Sequence, residues 1–482
     1  MRVVKLQTWI AAAAVLSIAA GCTRGDINRV QPNVTRKSDL IGTPENPKLW
    51  YFRNTVTWTP ANTGFTFEGD TGLMEKIIFE IQEGSLVGYR AYPYILGTDP
   101  NIDSTSKVSG TTAKYCNAKG ECLGGQPYYG APVIAFPIEK HFDIQRQYNP
   151  STGENTNVIQ ENSSDRPWNE REFIRVNWAV NQLNQRAGIS YGMISNPAVG
   201  VNNSSWIQPN EAVDDPADLP TFEADEQGDL KYFDFTGRYM ANPGLYYFED
   251  YGYFPACFLS MVYDCSSSEI RMRISFARVD KQKSRQYEPL VYPTELQTKF
   301  AYYGVDRLNY DKRFGITESA IVRLAGRFRL WEEAYQKDSS GEPILTQPIA
   351  MKDRTAKPVV YYMSAPYRMG GQANYDLYLE PAKRLEKNWD KAFRRAAAAA
   401  QEKQADGYRQ MFYVCENPVP NYAEQGLPAD VAAARQAACG EPGFSPKFGD
   451  LRYSFVNTIA EPVPNGLLGY GPNSVDPETA EI

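Results

Sequence analysis

The sequence predicts an α+β fold: a β-rich domain over residues 48–335, a linker at 336–357, and a smaller α/β unit over 358–482. Three observations predict it. Aromatic residues make up 13% of the chain, with 32 Tyr, and 36 Gly with 33 Pro interrupt it often; that mixture favours strands and turns over a helical bundle. Several runs before residue 336 alternate apolar and polar residues with the period of a half-buried strand. After residue 357 the pattern becomes an apolar strand followed by a long stripe of helical period.

The chain opens with Arg2 and Lys5, an apolar run at 6–20, and Ala19-Ala20-Gly21-Cys22. A basic start, a short apolar core and small residues before a Cys make a secretion signal over 1–21, too short to span a bilayer. The small residues before Cys22 resemble a bacterial lipobox. That implies acylation of Cys22 and a lipid anchor on the extracytoplasmic side of a bacterial membrane, in the periplasm or at the cell surface. Residues 22–47 are polar with scattered Pro and read as a tether.

The clearest hairpin lies at 75–92, where runs 76–81 and 85–92 flank the turn signal Glu83-Gly84. Further strands are expected at 132–144, 173–178, 230–235, 254–263 and 270–280. Residues 211–229 hold eight acidic residues and no basic one, and read as a solvated loop rather than a calcium site. Past the linker, 358–363 is a strand. Pro381 is expected to open a helix running to about residue 405, with Ala382, Leu385, Trp389, Ala392, Phe393, Ala396 and Ala400 on its apolar stripe. Lys383, Arg384, Lys387, Arg394 and Arg395 lie off that stripe and read as a solvated face, with anionic lipid as the rival. A strand at 451–456 and a glycine-rich end at 466–472 follow; no internal repeat is present.

Seven Cys are present. With Cys22 set aside, six fall into neighbouring pairs: Cys116 with Cys122, Cys257 with Cys265, Cys415 with Cys439. Local separation favours those three disulfides and an oxidising compartment. No CxxC spacing supports a metal site.

Composition also limits chemistry. The formal net charge is −7 and no basic stripe of the kind nucleic acids require is legible, so no nucleic-acid partner is expected. The single histidine, His141, cannot build a two-His zinc site and leaves a Ser-His-Asp arrangement one candidate base. It sits in a strand-like run and reads as structural. Ser104 and Lys107 match Ser-x-x-Lys but in a polar loop, without the helix that motif needs. The spacing Asp99, Asn101, Asp103 begins like a calcium loop, yet Ser104 and Gly110 stand where Gly and Glu are required. Gly469 and Gly471 form no nucleotide fingerprint, and nothing singles out a catalytic carboxylate pair.

Several runs together resemble large bacterial zinc-dependent metalloproteases that are exported, often as lipoproteins. These are FPIEKHFDIQRQYNPSTGENTNV at 136–158, DRPWNEREFIRV at 165–176 and YDKRFGITE at 310–318, then GDLRY at 449–453 and GYGPNSVDPET at 469–479. The resemblance implies a β-rich front and, from Lys357 onward, the first strand and helix of a metzincin-like peptidase domain. It implies that Gly469, Tyr470 and Gly471 lie where substrate backbone would be held by strand addition. It also implies zinc, held in that family by HExxHxxGxxH. This chain carries no such motif, and Ala480 stands in place of an expected Gly, so no zinc ligand carries over and the metzincin-like subdomain is expected to be incomplete.

The reading is therefore a membrane-anchored lipoprotein resembling the non-catalytic front of a metalloprotease, with no cofactor of its own. A separate polypeptide would supply the zinc helix, and a peptide or protein would be the substrate. Since one helix covers only one face of a sheet, 358–482 is expected to leave apolar surface open and to be less stable than the preceding domain. The rival is a surface lipoprotein that recognises protein or glycan through Tyr232, Tyr239, Tyr246, Tyr247, Tyr251 and Tyr253. A hydrolase working through carboxylates alone is a distant third.

Overall fold

The structure is a computed structural model. It describes residues 25–43, 47–60, 63, 66–91, 95–96, 132–178, 180–183, 199–200, 218–241, 245–250, 252–255, 266, 268–292, 294–300, 302–311, 315–459, 469, 471 and 474–482.

The β-rich expectation holds, in the form of a 12-stranded sheet curled into a half-barrel. Its main path runs Ile27–Asn28, Asn155–Asn162, Pro132–Tyr148, Ser85–Arg90, Glu75–Ile81, Leu49–Trp58, Ser268–Arg278, Leu230–Ala241, Val199–Gly200. The expected hairpin is present, with Ile81 opposite Leu86 across the Glu83-Gly84 turn. Alternation explains why the sheet folds this way. Trp50, Phe52 and Val56 point to one face together with Ile270, Met272, Ile274 and Phe276, and they join Phe233, Phe235, Phe136 and Trp178 in one core. Phe276 stacks on Phe52 at 5.1 Å and on Phe233 at 4.5 Å between ring centroids. Each such buried ring contributes about 1.5–3 kcal/mol.

Two stretches read from the sequence as connecting polymer are built into the fold. Within 22–47, Ile27–Asn28 pairs in parallel with Asn155–Asn162, Thr35–Arg36 pairs with Phe173–Val176, and the short helix Lys37–Ile41 buries Leu40 completely. Within 336–357, Tyr335–Lys337 and Pro343–Pro348 form a hairpin. The strand expected at 254–263 lies mostly outside the described residues; Gly252–Pro255 pairs with Leu245–Phe248.

The C-terminal unit is α/β. Val359–Met363 is the middle strand of a parallel three-stranded sheet, between Phe412–Cys415 and Ser454–Val456. Parallel neighbours need long crossovers, and the helix Gln372–Ala400 supplies the first. That helix starts nine residues before Pro381, which lies inside it on the exposed side. The correction has a simple cause: Tyr375, Tyr378 and Leu379 continue the apolar stripe upstream and pack on the sheet with Ala382, Leu385 and Phe393. Phe393 stacks on Phe412 at 5.6 Å and 3°.

Among the described residues, the second face of this sheet is covered rather than open. The helix Ala429–Cys439 covers the second side, where Tyr362, Tyr413, Val419 and Tyr422 pack with Ala432, Phe444 and Tyr453. Cys415 and Cys439 are disulfide-bonded there, as pairing by proximity predicts.

Candidate functional site

The second face of the large sheet holds a dense polar constellation. Alternation turns Tyr51, Arg53 and Thr55 away from the core, with Arg273 and Ser275 opposite them and Tyr232 and Asp234 one strand further. Residues 447–457 and 474–482 lie across this face, so Thr55, Arg273, Ser275, Tyr232 and Asp234 are buried, while Tyr51 and Arg53 are half-buried.

Arg273 is its centre. Its Nη1 donates to Asp234 Oδ1 at 2.8 Å and its Nε to the Phe448 carbonyl at 2.8 Å; the two side chains are 2% and 1% exposed. The backbone comes this close because residue 449 is glycine. Gly449 has φ 88°, and a Cβ there would sit 3.2 Å from Arg273 Cβ and 3.3 Å from Thr55 Cβ. The Tyr232 hydroxyl donates to Asp234 Oδ2 at 2.6 Å and lies 3.1 Å from Ser275 Oγ, which accepts the Leu451 N–H at 3.1 Å. The Arg452 guanidinium stands 3.4 Å over the Tyr232 ring and pairs with Glu223 and Asp450, each at 2.7 Å. Burial, then Asp234, pushes the Tyr232 hydroxyl far above its ordinary pKa. Burial likewise raises Asp450, against the pull of Arg452.

The chemistry of this arrangement is closed. Ser275 meets a neutral tyrosine and a backbone N–H, neither of which can take its proton, so it is no activated nucleophile. Arg273 with Asp234, and Arg452 with Asp450 and Glu223, satisfy one another. The constellation joins two parts of the chain.

His141 lies elsewhere, on Pro132–Tyr148. Its Nε2 is 2.8 Å from the Glu83 carbonyl and its ring tilts against Trp168 at 5.0 Å. Lys37 lies over the same indole, and burial with nearby Arg171 brings its amine down to about 8. Burial also lowers the pKa of His141. The imidazole thus ties the first hairpin turn to the 163–172 loop, as its structural reading expects.

Of the predicted site residues, Cys22, Cys116, Cys122, Cys257, Cys265 and Tyr470 lie outside the described residues. So do Ser104, Lys107 and the Asp99–Asp103 loop. Gly469 and Gly471 are exposed, and a Cβ on either would meet nothing within 4 Å. Tyr232 and Tyr239 are buried, at 0% and 3% exposure. Among the described residues no group of three His, Cys, Asp or Glu is placed to hold a metal ion, and no helix is long and apolar enough to cross a membrane. The Arg273–Asp234 cluster was missed in the sequence. Its only signal was charge at alternate positions of an apolar strand, which reads as a wet face.

No protein-family model, curated protein or solved structure matches the chain.

Proposed function

We propose that this chain is the non-catalytic front of a membrane-anchored exported lipoprotein resembling zinc-dependent metalloproteases, unable to cleave peptides by itself. One observation carries the reading. The strand Val359–Met363 runs into the helix Gln372–Ala400 where the resemblance locates the opening of a metzincin-like peptidase subdomain, and this pair is mounted on a β-rich front. The single histidine supports incompetence, since the family's zinc helix uses three imidazoles. Zinc and its helix would have to come from outside these 482 residues, and the substrate would be a peptide or protein. Acylated Cys22 would hold the assembly at the membrane face.

The rival, a surface lipoprotein binding protein or glycan through clustered tyrosines, loses Tyr232 and Tyr239, which are committed to the interior; the side chains of Tyr246, Tyr247, Tyr251 and Tyr253 lie outside the described residues.

The test is a peptidase assay of the purified chain on an unfolded protein substrate, with zinc and then with a chelator. No chelator-sensitive cleavage is expected. Such cleavage by the chain alone overturns the proposal. Mass analysis of the N-terminal peptide reads the anchor separately, as acyl mass on Cys22.

A further inference from the structure

The helix Gln372–Ala400 sorts its charges across its second half. Its acids there turn inward. Glu386 takes both Arg435 nitrogens, at 2.7 and 2.8 Å, and accepts the Val414 N–H; Asp390 accepts the Met411 N–H at 2.7 Å. Its bases turn outward. Arg384, Lys387, Lys391 and Arg395 are exposed, and none has an acidic partner among the described residues. Their spacing is i, i+3, i+7, i+11, so they form one straight stripe about 16 Å long. Lys383 and Arg394, which the sequence groups with them, are instead paired to Glu380 and Asp390.

An apolar side chain continues the line of the stripe. Leu377, two turns before Arg384 on the same line, is 65% exposed. The rest of the chain is acidic, with a net charge of −7 overall, so this face is opposite in sign to the whole.

The geometry points to an anionic phospholipid surface as the occupant of this helix face. The stripe is linear and has long flexible cations, which suits a plane of fluid headgroups. The exposed Leu377 can enter the headgroup boundary at its end. The inference stands without the acyl anchor. If Cys22 is acylated, the anchor supplies the local concentration and the stripe determines which side of the body turns to the bilayer.

The test uses the full chain with Cys22→Ser, which removes acylation, and sedimentation with two vesicle types. One is phosphatidylcholine alone; the other has one third phosphatidylglycerol. Binding is expected on the anionic vesicles only, weakening as salt rises. Lys387→Gln with Lys391→Gln should lower affinity roughly 10- to 30-fold, at about fivefold per basic residue. Lys231→Gln, on the strand Leu230–Ala241 of the large sheet, should leave it unchanged, and circular dichroism checks that each variant folds. Equal binding to both vesicle types, no loss in the double variant, or binding to an acidic protein or heparin column without vesicle binding overturns the inference. Failure of the anchor reading appears elsewhere, as an unacylated Cys22 in the unaltered chain.

Discussion

Lys76 Nζ lies 3.0 Å from Asp476 Oδ2, with the two side chains 2% and 4% exposed. The first hairpin of the sheet is thereby tied to the C-terminal segment. Glu478 adds a second carboxylate at 2.8 Å, and the Tyr51 hydroxyl donates to Asp476 at 2.5 Å. Burial opposes the Lys76 charge, but Glu478, Tyr51 and Asp476 outweigh it and hold the ammonium well above its usual pKa.

Removing one partner should be costly, because the other stays buried and charged. Lys76→Met is expected to lower unfolding free energy by about 3–5 kcal/mol. Urea denaturation measures it, and a loss under about 1 kcal/mol would show that Asp476 is readily rehydrated.

Glu161 should govern acid stability. Burial raises its pKa, yet Arg175 at 2.5 Å, Lys140 at 2.8 Å and the Gln31 N–H bring it down to about 2. Against an ordinary glutamate this contributes about 3 kcal/mol, present above pH 4.5 and lost as pH falls toward 2. Glu161→Gln should flatten the stability–pH curve in that window and loosen the segment at 25–36; hydrogen exchange on that segment reads the second effect.

His141 acts at milder pH. Its folded-state pKa is depressed, so its contribution is complete above 6.5 and is lost as pH falls through the folded value. Denaturation midpoints between pH 7.5 and 5.5 should drop for the natural chain and much less for His141→Gln. Parallel slopes in both proteins would remove His141 from the account.

The Cys415–Cys439 bridge closes a loop of 24 residues in sequence separation. Replacing both by Ala should cost about 3 kcal/mol in the chain-entropy picture. The loss should appear first as faster proteolysis near the helix Ala429–Cys439, while the large sheet resists.

Much of the sheet could be read in advance. Glu75–Ile81 with Ser85–Arg90, and Ser268–Arg278, announce themselves because one face is apolar and the period is two. Pro381 reads as a helix start, but the packing of Tyr375 and Leu379 extends the helix upstream and leaves the proline exposed within it. The pairing of Ile27–Asn28 was illegible because two residues carry no period and their partner strand is distant in sequence. The Arg273–Asp234 cluster was hidden for another reason: alternation reports two faces but not whether a later segment covers the polar one.

The last residues are stitched down. Arg327 exchanges main-chain hydrogen bonds with Ala480 and Ile482, at 3.1 and 2.9 Å, and Ala480 is wholly buried in a left-handed turn with φ 62°. Anything joined after Ile482, by the ribosome or by cloning, therefore departs from a fixed point and heading beside Arg327. A short rigid connection would hold the added part in one orientation against the body, and a flexible one would waste that geometry.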